Sequence, residues 1–339
     1  MNRLQHILPL TIILSLLMAC ERDQDEFVGP SLANLYGDFA LLEEGDISNR
    51  EVDFAAGENT HVTALFSQQV TWELHITGKE SGAHKLITGF SAELSSSNTL
   101  WNGTTTDLPM FKAEMCDVNL RAFNAQDSLV YDYVDSLEVI SSRIIDGVFV
   151  ADFENGIDPA WGSFVQTGAN MSFNTSSEIA AGQGDSYLDI GGEVSWDWLI
   201  LYVDFPGDAL GAPTYPLSAN ASEVYFNFFV YTPEEIANEV ILLQFMEDEN
   251  GDDQHSGSTE DMYSYELTNV SPGWQKVSLK YSDLQALVNG QPSDPAGNGL
   301  REANKLWNIR LLYLADPSSG YSQSYFDYMI FTEGDPLVP

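Results

Sequence analysis

The chain has 339 residues, 44% hydrophobic and 12% aromatic, enough apolar material for a folded core despite 51 Asp and Glu against 13 Lys and Arg. The formal net charge of −38 repels nucleic acid and anionic headgroups, so neither is an expected partner, and it repels anionic polysaccharides too unless the protein offers them a local basic pocket. Neutral glycans, small molecules and cations remain open.

Asn2 and Arg3 give a short basic start. An apolar run from Ile7 to Met18 ends in Leu17-Met18-Ala19-Cys20, with Glu21, Asp23, Asp25 and Glu26 following. This pattern predicts a lipoprotein signal peptide over 1–19, cleaved before Cys20, the expected lipidation site. The run is too short to span ~30 Å of hydrocarbon, so membrane contact is expected through the lipid anchor only. Without the signal, 12 basic residues face 51 acids, a net charge of −39. Residues 20–34 read as the lipidated Cys and an acidic tether. Only Cys116 remains beyond Cys20, which excludes an internal disulfide framework. Cys116 reads as a small apolar residue on a buried strand, with acids beside it and no neighbouring base to activate it.

Residues 35–143 read as short strands and turns, predicting an Ig-like β-sandwich. Val70, Trp72, Leu74 and Ile76 alternate with polar residues, the period-two pattern of a half-buried strand. Three stretches carry a family resemblance: Trp72 to Gly78, Leu100-Trp101-Asn102-Gly103-Thr104, and Phe111 to Leu120. Together they resemble the Ig-like fold of the flagellar hook-capping protein, which recurs as a spacer in secreted bacterial proteins. Trp101 reads as a packing anchor rather than a ligand platform.

A boundary is predicted near 141–147, with a jelly-roll domain over 147–339. Its candidate strands are Phe149–Phe153, Ser186–Ile190, Ser195–Phe205, Glu223–Tyr231, Val240–Glu247, Tyr263–Leu267, Gln275–Leu279, Ile309–Leu314 and Tyr325–Phe331. Helix signals are few: Pro233–Asn238, and Ser282–Val288 behind a Ser cap. The whole chain is thus expected to be all-β.

Several of these strands carry a second face of rings and planar polar groups. Trp196, Trp198 and Tyr202 alternate with an aliphatic set ending in Phe205; Tyr225 and Asn227 alternate with Val224, Phe226 and Phe228. Gln244 and Arg310 occupy equivalent positions on two further strands. Rings stack on the apolar faces of sugars, and amides or guanidinium bond their hydroxyls. Trp196, Trp198, Tyr202, Tyr225, Asn227, Gln244 and Arg310 are therefore candidate glycan-binding residues. The alternative is a groove covered by loops, with these rings as ordinary core.

Val150-Ala151-Asp152-Phe153-Glu154-Asn155-Gly156, the Gly-rich turn before Ser186-Tyr187-Leu188, and Phe326 to Phe331 resemble carbohydrate-binding modules of the galactose-binding-like jelly-roll class. That resemblance implies a structural calcium joining the first and last strands, held by Asp152, Glu154, Asp185 and Asp327 with carbonyls near 184–186. The acidic run Glu247 to Asp253 starts like a calcium loop but lacks the full pattern, although Glu260 and Asp261 lie downstream; it reads as a solvated hairpin.

Catalysis finds little support. Beyond the signal only four histidines remain, and no zinc spacing, nucleophile elbow or phosphate loop is present. The architecture resembles the surface glycan-binding lipoproteins of Bacteroidota polysaccharide-utilisation systems. It implies a non-enzymatic protein on the outer membrane, facing the exterior, that captures a neutral polysaccharide or oligosaccharide for a TonB-dependent transporter. A jelly-roll lyase or hydrolase, and a structural or adhesive surface protein, are the alternatives.

Overall fold

A computed structural model describes residues 38–166, 171–193, 199–233, 240–268, 270–288, 290–314 and 321–339. The protein is all-β, with no α-helix among the described residues. Strands β1 (Leu41–Ile47), β2 (Glu51–Asp53), β3 (Val62–Gly78), β4 (His84–Leu94), β5 (Glu114–Phe123) and β6 (Leu129–Ser141) come first. They register as one sheet in the order β1-β3-β5-β6-β2, with β4 also on β3. The long β3 pairs β1 through its first half and β5 through its second. Its even-numbered residues from Val62 to Ile76, except Gln68, all enter one core, as alternation demands. Gly89 sits opposite Trp72 on β4, where a Cβ would lie 2.3 Å from the indole. Its absence lets the ring lie across β4 and donate Nε1–H to Ser91 Oγ at 2.9 Å. Trp101 is indeed an anchor: it is 1% exposed, edge-on to Phe54 and Phe111 at 4.8 Å. Cys116 is a free thiol buried in the same core.

The remaining strands are β7 (Val148–Ala151), β8 (Ser163–Val165), β9 (Met171–Ser176), β10 (Tyr187–Glu193), β11 (Leu199–Pro206), β12 (Val224–Thr232), β13 (Val240–Glu247), β14 (Met262–Leu267) and β15 (Gly273–Lys280), followed by the two-residue pair β16 (Leu287–Val288) and β17 (Gln291–Pro292), then β18 (Leu306–Leu314) and β19 (Tyr321–Glu333). A six-stranded sheet runs β15-β12-β19-β10-β9 with β7 on β19, and a five-stranded sheet runs β14-β13-β18-β11-β8. All their pairings are antiparallel. The chain passes repeatedly between the sheets, so residues of both fill one shared core. Leu201, Val203 and Phe205 face Phe226, Phe228 and Phe331 there.

Two features differ from expectation. The helix expected over Ser282–Val288 is a 3-10 turn, Tyr281–Asp283, followed by β16. Gln285 exchanges backbone hydrogen bonds with Ser264 on the edge of β14, at 2.7 and 3.4 Å, and this pairing holds the chain extended. Strands β8 and β9 add to the expected set; they are too short for a clear period. The segment expected as helix over Pro233–Asn238 lies almost wholly outside the described residues.

The two β units touch through Met110, Phe229, Ile330 and Leu337. Met110 N–H donates to the carbonyl of Gly182 at 2.8 Å, and Lys112 Nζ pairs with Asp185 at 2.7 Å. The segment after β19 returns to this seam, where Lys276 Nζ donates to the carbonyl of Leu337 at 2.6 Å.

Candidate functional site

The outer face of the five-stranded sheet gathers part of the expected site. Register places Gln244 on β13 beside Arg310 on β18, and Arg310 beside Asp204 on β11. Ser264 on β14 flanks Gln244, so one cross-strand row reads Ser264, Gln244, Arg310, Asp204. The next row carries Leu242, Leu312, Tyr202 and Phe164. The inward neighbours Leu201, Val203, Leu243, Ile309 and Leu311 are all in the core, which forces these rows outward.

Arg310 is fixed in this row. Its Nε and Nη2 donate to the two carboxylate oxygens of Asp204 at 2.7 and 2.8 Å. Such a fork is the strong form of an ion pair, and the Asp204 carboxylate raises the guanidinium's affinity for its proton further. Asn308 Nδ2 adds a third donor to Asp204 at 2.8 Å. The guanidinium carbon lies 4.2 Å from the centroid of Tyr202, over the ring. Tyr202 stacks in turn on Phe164, with centroids 5.6 Å apart and planes at 22°. Phe164 is 38% exposed, so the stack reaches solvent. The Gln244 side chain makes no hydrogen bond to a described residue and is half-buried. Two further polar atoms on this sheet, Ser264 Oγ and Asn308 Oδ1, are buried without partners. The surface combines a stacked pair of rings, a clamped guanidinium and a free amide.

The remaining expected residues fall elsewhere. Tyr225 and Asn227 belong to β12, on the other sheet, so no single face holds all the candidates. Tyr225 lies under Lys280, whose Nζ is 5.6 Å from the ring centroid. Asn227 is fully buried: its Nδ2 donates to Thr332 Oγ1 at 3.0 Å, and its Oδ1 accepts the Leu337 N–H at 3.0 Å. It therefore has no free group to offer a ligand, because the segment after β19 packs over it. Trp196 and Trp198 lie outside the described residues.

The four acids expected to hold calcium do not share an oxygen cage. Asp327 is buried, and its oxygens accept the backbone N–H groups of Gln183 and Tyr328, each at 2.7 Å. Burial pushes its carboxyl well above the usual range, and the charges of Glu154 and Asp152 add to that. Glu154 Oε1 accepts N–H groups from Asp185 and Ser186 at 2.8 and 3.0 Å. Asp185 turns away to the surface and pairs with Lys112. Asp327 and Glu154 are thus each held by backbone N–H donors.

The acidic run does join the antiparallel β13 and β14, and its tip at Asp252 and Asp253 is exposed, but its base is not solvated. Glu247, Asp248, Glu260 and Asp261 are all buried, at 0%, 4%, 2% and 0% exposure. The N–H groups of Gly297 and Gly299 each donate to Asp261 at 2.6 Å, folding a distant loop over the acids.

No protein-family model matches the chain, and no curated protein matches it. Among solved structures, it is similar to a family 11 carbohydrate-binding module from Clostridium thermocellum in complex with a β-1,3-1,4-mixed-linked tetrasaccharide, at 16% identity and TM-score 0.37, covering 55% of this chain and 94% of that one. A family 30 carbohydrate-binding module of a Clostridium thermocellum cellulosomal cellulase gives 15% identity and TM-score 0.38, covering 56% and 99%. The K1 cleaved adhesin domain of Lys-gingipain from Porphyromonas gingivalis gives 11% and 0.32, covering 55% and 97%. Likeness at this level carries no argument about the ligand of this chain.

Proposed function

We propose that this protein binds a neutral polysaccharide or oligosaccharide, without cleaving it, on the outer face of the five-stranded sheet. The observation that carries the proposal is the row in which Arg310, clamped by Asp204, lies over Tyr202 while Gln244 is left free beside it. A sugar ring would stack on the exposed Phe164–Tyr202 pair, and its hydroxyls would bond the guanidinium edge and the Gln244 amide. Arg310 lies over the ring rather than at the Tyr202 hydroxyl, an arrangement suited to holding a flat surface rather than to activating a phenol as a base. We further propose that lipidation at Cys20 holds the protein on the outer membrane, facing the exterior, where the bound glycan passes to a TonB-dependent transporter; the lipobox and its trailing acids support this.

The test is a panel of neutral polysaccharides measured by calorimetry, with reducing-end and unsaturated-product assays alongside. Saturable binding without turnover is expected. Tyr202→Ala and Arg310→Ala should each weaken it at least ~10-fold, about 1.4 kcal/mol, with the circular dichroism spectrum unchanged. Undiminished binding in both variants, or product release, defeats the proposal.

A further inference from the structure

Among the described residues, one set of three acidic groups brings ligand atoms within 4.8 Å of one another: Glu247, Glu249 and Asp261. They come from the end of β13, the residues just beyond it, and the residue before β14. Glu247 is fully buried. Its Oε1 accepts the Tyr281 hydroxyl and the Glu302 N–H, each at 2.8 Å. Its Oε2 is buried with no partner at all. An orphaned carboxylate oxygen is among the most costly groups a core can hold, and here it belongs to a carboxyl already at the cluster.

The loops around the acids are shaped to converge them. Asp261 is held by Gly297 and Gly299 N–H and by the Tyr263 hydroxyl at 3.1 Å. Glu249 accepts the Asp261 and Asn298 N–H groups at 3.3 and 3.2 Å. Lys305 pairs with Glu302 at 3.0 Å and donates to the Glu249 carbonyl at 3.4 Å, so its charge acts on the Glu249 and Glu247 carboxyls only from a distance. Three carboxyls therefore meet without a direct ion pair to any of them among the described residues. Burial, with the Asp261 charge adding to it, pushes the Glu247 carboxyl up to about 7. Glu249 is half-buried and Asn298 exposed, leaving one side open to solvent.

We propose that Glu247, Glu249 and Asp261 bind a divalent calcium ion that ties the ends of β13 and β14 to the loop leading into β18. A donor set of oxygens only, drawn from separate segments of the chain, suits calcium over a transition metal or magnesium. The ion would accept the orphan oxygen of Glu247 and remove the repulsion among the three acids. This site is separate from the Asp152–Asp327 region and does not depend on the glycan-binding reading.

The full chain, stripped with EDTA and exchanged into chelator-free buffer, is titrated with calcium chloride and followed by thermal unfolding. At a hundredfold excess over Kd, Tm should rise by about 5–10 °C. The hydrogen bonds from Tyr281 and Tyr263 to two of the ligands also make tyrosine-sensitised terbium luminescence a local readout. Glu247→Gln should lose both responses, whereas Glu154→Gln, in the other acidic region, should keep them. If Glu247→Gln fails to fold, the half-buried Glu249→Gln serves, with calcium affinity lowered at least ~10-fold. No calcium response in the stripped wild type, as a proton shared among the acids would give, overturns the proposal. So does an undiminished response in the Glu247 or Glu249 variant, or its loss in Glu154→Gln alone.

Discussion

Replacing Asp204 by alanine takes away the acceptor of three hydrogen bonds, two from Arg310 and one from Asn308. The size of the effect follows from where the pair sits. Its side chains are 29% and 18% exposed for Arg310 and Asp204, neither open to bulk water nor sealed. Exposed ion pairs contribute roughly 0–1 kcal/mol, and breaking a buried pair costs about 3–5 kcal/mol. The fork geometry and the third donor place Asp204→Ala near ~2 kcal/mol. Arg310→Ala should cost a similar amount, since it strands Asp204 and uncovers Tyr202. The double variant should cost much less than the sum, giving a coupling of about 1.5–2 kcal/mol. Urea unfolding of the four proteins, with m held constant, measures it. Additive losses, with a coupling below ~0.5 kcal/mol, would show that Arg310 is not locked by Asp204, and the rigid row proposed for the ligand would fall with it.

The Cys116 thiol, pushed up to about 12 by burial and the nearby acids Glu114 and Asp117, should resist a thiol reagent at pH 8 in the native protein and react fully in guanidinium; rapid native labelling would refute its burial. Asp135 is held down to about 2 by the Tyr133 hydroxyl and then the Arg50 guanidinium. A depressed carboxyl stabilises the fold above its unfolded pKa, so this contribution should fade as pH falls from about 4 toward 2. Solvent screening limits it to less than about 1 kcal/mol; Asp135→Asn should flatten that part of the acid limb in a pH series of urea midpoints, and an unchanged slope would argue against the pair.

Alternation alone places β13 at its observed limits, Val240–Glu247, and puts Val224, Phe226, Phe228 and Val230 on the inner face of β12. It also turns Tyr202, Gln244 and Arg310 outward. What period two does not encode is which strands pair. Tyr202 and Tyr225 look equivalent along the chain, yet β11 and β12 lie in opposite sheets, because the chain crosses the sandwich between them. Asp204 and Arg310 are 106 residues apart, so their fork depends on the register between β11 and β18. Phe164 sits on a three-residue strand with no period to read. The acidic run looks solvated from its composition; its tip is, but the Gly297–Gly299 loop, some 36 residues beyond Asp261, covers Asp261 from a distance that composition does not show.

The charge on the outer face bears on what kind of glycan could sit there. Across the five strands of that sheet, Arg310 is the sole basic residue. Its charge is already matched by Asp204 at hydrogen-bond distance, so the row offers donors without a net positive field. Glu266, one row along on β14, leaves the face slightly acidic, within a chain of net charge −38. A uronic-acid or sulfated polymer would approach against that field and find no uncompensated cation to bind. A neutral polymer pays no such penalty and can still use the outer edge of the guanidinium, since the fork to Asp204 engages only two of its five N–H donors. On the proposed reading, the same ion pair that fixes Arg310 in place would disfavour anionic ligands.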